Sequence, residues 1–329
     1  MSEYKIIKGF KIQTVAADPS TDLGQVWYNS TTAVLKYNAA TPSSAVWASG
    51  GALNTARYEL GSAGTQGATL AFGGDIPGGH TANSEEYNGT SWAEGNNLGT
   101  SRYYLRGAGT QTAGLGFAGY IYPGSWKNNT EEYDGTSWSP QNNMGTARRS
   151  PGSGGTQTAG LAFGGNKSPG GALSNDTEEY GGASWTAGNN LNTARVYLGG
   201  AGTQAAGLAF GGFITANTAV TEEYDGTSWA NSNNMNTTRA RVAGAGIQTS
   251  AIAFGGLTPA SPAYTGVTEQ YDGTSWANST SLTTARRSAG GAGTTVAGIA
   301  FGGNAPPHST ATEEFTGANV PLVKTVEID

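Results

Sequence analysis

Adjacent carboxylates are the most chemically suggestive residues in this chain. Glu131-Glu132 and its copies have the composition of a general acid–base pair. On a strand, however, neighbouring side chains point to opposite faces, so the two cannot act on one substrate. The doublet also recurs along the chain, whereas an active site needs one asymmetric constellation. Its spacing predicts a ring of Glu–Arg or Glu–backbone contacts between repeat units, with a ring of bound cations as the alternative. An arginine recurs with it, at Arg57, Arg102, Arg148, Arg195, Arg239 and Arg286, and reads as the structural partner. The two histidines, His80 and His308, could ligate a metal only with carboxylate support. With no cysteine there are no disulfides, thiolates or Cys-based zinc sites. No Ser-His-Asp spacing, P-loop or dinucleotide fingerprint is present. The expectation is a chain without catalysis, cofactor or metal. Binding is better served. Tyr120, Tyr122, Trp126, Phe213 and Tyr264 stand among Asn and Ser and suit flat sugar faces or a protein partner. The alternative is that these rings fold inward over sheet edges.

The elements that must position these residues follow from a repeat. The six arginines are spaced by 45, 46, 47, 44 and 47 residues. Phe72, Phe117, Phe163, Phe210, Phe254 and Phe301 keep the same spacings, as do Trp47, Trp92, Trp138, Trp185, Trp229 and Trp276. A period of about 45 residues decides the architecture before any local reading. Each copy reads as four short strands. In the second copy these are a Gly/Ala strand at 105–109, an apolar strand at 113–117, an acidic strand at 130–133 and a Trp strand at 136–139. Gly-Thr-Gln and Asp-Gly or Asn-Gly pairs separate them at hairpin distance. Glycine, 53 of 329 residues, is incompatible with long helices and suits tight turns. Four antiparallel strands per ~45 residues is the pattern of a propeller blade. The fold class is therefore all-β, a six-bladed propeller. The repeated Trp and Phe are expected to fill the space between blades.

The copies are out of phase with the chain. Val46-Trp47 matches a fourth strand with no blade before it. The run from Arg286 to Phe315 is a blade with no fourth strand after it. The ring is therefore expected to close by joining strands from the two ends, with the propeller spanning 43–319. Residues 1–42 form a strand and a hairpin at 25–29 and 33–37. Residues 320–329 form a further strand beside the N-terminal run. Between copies the framework hardly varies, but the loop joining the second and third strands does, at 8 to 11 residues. These loops and the linkers between copies fall on one face. His80 and His308 sit in the loops of the first and sixth copies, which closure would make neighbours.

The repeat resembles the kelch family. The residues that carry this are the Gly-Gly after the second strand (Gly73-Gly74, Gly164-Gly165, Gly211-Gly212, Gly255-Gly256, Gly302-Gly303), the Tyr of the third strand and the Trp of the fourth. The chain departs from the pattern at Ala118-Gly119 and at Phe315. The resemblance implies a β-propeller. Galactose-oxidase-like enzymes share it, but their copper site requires a Cys that this chain lacks. The wording Thr-Glu-Glu-Tyr-Asp-Gly-Thr-Ser-Trp, with Gly-Thr-Gln-Thr-Ala, resembles virion proteins of marine bacteriophages. The Trp27-Tyr28-Asn29 hairpin is similar to those of phage fibre proteins.

Net charge is −6 with only 12% charged residues, so the surface is largely Asn, Ser, Thr and Gly. There is no basic stripe for nucleic acid and no apolar run long enough for a membrane span. The N-terminal lysines precede no apolar stretch, so no signal peptide is expected. Together these readings point to a non-enzymatic virion component, a fibre or appendage protein assembled in the host cytoplasm. Its first 42 residues would attach to other virion proteins, and a propeller face would meet host glycan or another virion protein. The alternatives are a sugar-active enzyme on a propeller scaffold and an intracellular kelch-type adaptor.

Overall fold

The computed structural model describes residues 13–15, 26–40, 44–259, 263–318 and 321–325. The run 4–12, the turn at Asp18-Pro19-Ser20 and residues 326–329 lie outside the described residues. The chain forms two compact units, Val46–Thr316 and a smaller one made of Met1–Ala45 with Gly317–Asp329.

Among the described residues the fold is all-β, without helices, and propeller-like. The larger unit contains six four-stranded antiparallel sheets. In the fourth copy the order is Gly199–Thr203, Ala206–Phe210, Thr221–Tyr224 and Trp229–Ser232, each strand hydrogen-bonded to the next. Copies one, two, three and five repeat this order. The sixth sheet takes Gly290–Gly293, Ala297–Phe301 and Thr312–Thr316 from one end of the unit and Val46–Ser49 from the other. Trp47 there pairs with Phe315, as Trp229 pairs with Tyr224.

The Trp strand begins later than the sequence suggests, at Trp138–Gln141 in the second copy. Thr136 and Ser137 donate their N–H groups to Asp134 Oδ1 at 2.8 and 2.7 Å. That Asx turn takes the two residues out of the strand.

Aromatic stacking joins successive sheets. Trp138 packs on Phe72 with centroids 4.7 Å apart, Trp229 on Phe163 at 4.9 Å, and Trp92 on Phe301 at 4.8 Å. Each indole N–H finds a hydroxyl of the preceding copy, such as Trp229 Nε1 to Thr177 Oγ1 at 2.9 Å and Trp92 Nε1 to Thr312 Oγ1 at 3.0 Å. Such ring pairs contribute about 0.5–1.5 kcal/mol beyond their burial. Glutamine clamps add to them. Gln157 Nε2 donates to Tyr133 O at 2.7 Å and Gly114 O at 3.2 Å in the preceding copy. The first strands approach too closely for side chains. A Cβ on Gly200 would stand 2.4 Å from Ser153 O.

The smaller unit is one four-stranded sheet. Gln13–Val15 runs parallel to Val26–Asn29, which forms the predicted hairpin with Val34–Ala40. Asn29 Oδ1 accepts the amides of Thr31 and Thr32 at 3.0 Å and shapes the turn. Pro321–Thr325 pairs antiparallel with Val34–Ala40. The two tails thus share a sheet, but the hairpin lies between them.

Candidate binding face at the channel mouth

The recurrent arginines lie at the entry to each first strand and are fully buried. Each is paired with the first acidic residue of its own copy: Arg57–Glu85, Arg102–Glu131 and Arg148–Glu178, Arg195–Glu222 at 3.2 Å, Arg239–Glu269 at 3.0 Å and Arg286–Glu313 at 2.5 Å. Burial lowers Arg195 and Arg239 to about 10, the facing glutamates opposing the shift, so both stay charged at neutral pH. The same glutamates accept linker amides, as Glu222 does from Asn192 N at 2.6 Å. This pairing is within a copy, not between copies. The second acidic residue makes the link between copies, accepting the Tyr hydroxyl of the next one: Tyr180 to Glu132 at 2.8 Å, Tyr224 to Glu179 at 2.5 Å, Tyr87 to Glu314 at 2.5 Å, and likewise Tyr133 to Glu86 and Tyr271 to Glu223. The doublet is therefore split between two structural tasks, one on each strand face.

Two positions after each arginine the backbone turns left-handed. Glu59, Tyr104, Ser150, Tyr197, Arg241 and Ser288 have φ between 51° and 59°. A non-glycine residue there costs on the order of 1–2 kcal/mol, and such strain gathers at functional sites. Main-chain bonds from copy to copy hold the turns. Tyr104 N donates to Glu59 O at 2.8 Å, Ser150 N to Tyr104 O at 2.8 Å, Arg241 N to Tyr197 O at 2.8 Å, Ser288 N to Arg241 O at 3.0 Å, and Glu59 N to Ser288 O at 3.1 Å. The side chains at these positions differ in kind between copies, unlike the framework around them.

Five of them, all but Ser150, meet in one cluster. Arg241 is ion-paired to Glu59, whose Oε1 also accepts from Ser288 Oγ at 2.6 Å. The Arg241 guanidinium lies 3.8 Å over the Tyr197 ring, and the Tyr104 and Tyr197 centroids are 6.0 Å apart. Arg149 stands 5.3 Å over Tyr104. Burial opposes the charge of Arg241, but Glu59 and the two tyrosines outweigh it and raise its pKa. Burial, then Glu59, raises the Tyr104 hydroxyl. A cavity of about 50 Å³ opens here, lined in part by Ser62, Arg106, Ser153, Arg241 and Ser288. A second cavity, of about 150 Å³, is walled by Gly, Ala and Ser of all six first strands and forms a narrow channel.

The variable loops sit at this same end, because the residue after each arginine bridges to the first residue of its loop. The pairs are Tyr58 with Asp75, Tyr103 with Tyr120, Arg149 with Asn166, Val196 with Phe213, Ala240 with Leu257 and Arg287 with Asn304. Tyr120 and Trp126 face each other across a two-stranded hairpin, centroids 6.3 Å apart, with Arg149 over both. Tyr120 Oη also accepts from Gly124 N at 2.8 Å. Both rings are half-buried, whereas Tyr122 is 70% exposed. Phe213 is exposed in the fourth copy's loop, and Tyr264 in the fifth donates to Asn304 Oδ1 at 2.7 Å. Among the described residues neither ring touches the second loop's aromatics, so the five candidates are spread around the face. His80 stacks on Tyr103 at 5.9 Å, and His308 Nε2 lies 3.4 Å from Asp75 Oδ2. Among the described residues no three His, Asp or Glu converge as a metal-binding group.

The left-handed residues escape the sequence reading, which takes the long loops as the only difference between copies. Aligning the copies on their arginines exposes the signal: the two positions after each one vary as freely as the loops. No protein-family model matches this chain, and no curated protein matches it.

Proposed function

We propose that this chain is a kelch-like, six-bladed closed propeller that works as a non-enzymatic recognition module. One observation carries this. The residues that differ between otherwise near-identical copies are collected at one end of the sheets, while the opposite end carries near-uniform turns. A framework residue has equivalents all around the ring and cannot discriminate between partners. A unique surface can, and here it combines variable loops, strained channel-mouth residues and the exposed Tyr122. The proposed ligand is a host-surface glycan or another virion protein. The proposed setting is a phage fibre or appendage, supported by the repeat's resemblance to marine phage virion proteins, with the N-terminal segment as the attachment.

The test is binding of the purified chain to host cells and to a glycan array. Tyr122→Ser should leave the melting temperature unchanged and lower affinity by about 2 kcal/mol, the size of an aromatic hot spot. Equal binding by both proteins, with loss instead on altering the Asp134-Gly135 turn, would put the ligand on the opposite face. Absence of the chain from purified particles whose genome encodes it would remove the virion reading.

A further inference from the structure

The chain has ten arginines, six of which are the buried framework residues. The remaining four, Arg106, Arg149, Arg241 and Arg287, all lie one to four positions beyond a framework arginine and hence at one end of the first strands. In a protein of net charge −6 this is a local reversal of sign. Arg241 is neutralised by Glu59. Among the described residues, Arg106, Arg149 and Arg287 have no ion pair. Arg106 lines the cavity and spends one donor on Leu105 O at 3.0 Å. Arg149 and Arg287 each hold a buried Nε with no acceptor, and lie over aromatic rings, Arg287 at 5.4 Å from that of Tyr264.

We propose that the channel mouth binds the oxyanion of an acidic saccharide, with Arg106 as the deep ligand and Arg149 and Arg287 on the rim. The inference rests on the glycan-binding reading above. A guanidinium pairs with a carboxylate or sulfate through two parallel donors, and the desolvation of Arg106 inside the mouth, which Glu59 counters only in part, is offset further when such an anion arrives. The cavity, about 50 Å³, takes one such group and not a bulky substituent. Ser62, Ser153 and Ser288 add hydroxyls around it. Side chains suit a sugar better than a peptide here. A peptide strand would need free main-chain donors, but five of the six left-handed amides are already bonded to the neighbouring copy. The exposed ring of Tyr122 supplies a face for the sugar body.

Calorimetric titration tests this with a uronate-bearing oligosaccharide, a sulfated one, a neutral dextran oligosaccharide and polyglutamate, each at low and high salt. The expected result is salt-sensitive binding of the uronate or the sulfated sugar, with the stronger of the two naming the anion. Arg106→Gln and Arg287→Gln should each weaken it about tenfold. Arg287→Gln, on the rim, decides the matter if Arg106→Gln fails to fold. Neutral dextran bound as well as the acidic sugars, and unaffected by both variants, would overturn the oxyanion site while leaving the glycan reading standing. Binding of polyglutamate alone would overturn the saccharide assignment. Failure of every saccharide, on the titration and on the array, would overturn both.

Discussion

Gln270 and Phe315 depart from the repeat together. In five copies a Tyr hydroxyl meets the second acidic residue of the preceding copy, and by that register Phe315 faces position 270. There the hydroxyl is missing and the carboxylate is an amide. Gln270 turns instead to Thr295 O at 2.6 Å, where the other copies carry the clamping Gln and this one has Thr. Gln270→Glu should therefore destabilise by about 1–3 kcal/mol, since it places a carboxylate where no donor waits. Adding Phe315→Tyr should recover most of it, giving a coupling of about 1 kcal/mol or more in a double-mutant cycle by urea unfolding. The five Tyr–Glu bonds also mark the alkaline limb. Burial, then Glu314 for Tyr87 and Glu223 for Tyr271, pushes these phenols up to about 12. An unfolded tyrosine titrates near 10, so this stability is complete below that pH and is lost as pH rises towards 12. Phenolate absorbance should show a late step, and Tyr271→Phe should shrink it. At this scale the Arg, Phe and Trp sets were legible, because bulk and charge recur in register. The strained residues were not. Left-handed backbone is usually betrayed by Gly or Asn, and here it carries Glu, Tyr, Ser and Arg.

The strand, with its buried ion pair, is the unit that repeats. Arg148 is wholly enclosed and serves Glu178, Gly164 O at 3.2 Å and Asp176 O at 2.8 Å. Arg148→Met leaves all three short of a donor and should cost about 3–5 kcal/mol, read as a fall in urea midpoint. The equivalent change in any other copy should cost a similar amount, because each arginine has the same kind of surroundings. Strands were legible from hairpin turn residues and apolar runs, and the apolar strand 113–117 matches its observed bounds. The Gly/Ala strand starts one residue later, at Arg106. The Trp strand was misplaced because Thr and Ser read as strand formers, while the Asp134 carboxylate recruits their amides into a turn. The partner of the second glutamate was also hidden. Spacing along the chain says that Glu and Tyr share a strand but not which copy's Tyr reaches which Glu.

Across the whole larger unit, the sixth sheet depends on Val46–Ser49. Removing residues 1–49 takes away the fourth strand that covers Thr312–Thr316 and leaves its edge open. The truncated chain should melt well below the full one and aggregate on heating. An unchanged melting temperature would contradict closure by this strand. Hydrogen exchange should find the seam between the fifth and sixth copies the first to open, since it lacks both the Tyr–Glu bond and the Gln clamp. The joining of Val46–Ser49 to the sixth sheet was legible from the phase of the Trp set, which begins ten residues before the Arg set. The channel mouth was not, because it is assembled from single residues of all six copies.

The pairing of Val46–Ser49 with Thr312–Thr316 also sets a clock during synthesis. The two segments are separated by about 260 residues, from 49 to 312. At about 5–20 residues per second, the early strand leaves the ribosome roughly 13–50 s before its partner exists. During that interval it is an unpaired edge beside a growing row of finished sheets. At four residues, Val-Trp-Ala-Ser, it is short enough to give a stray strand little to hold while it waits.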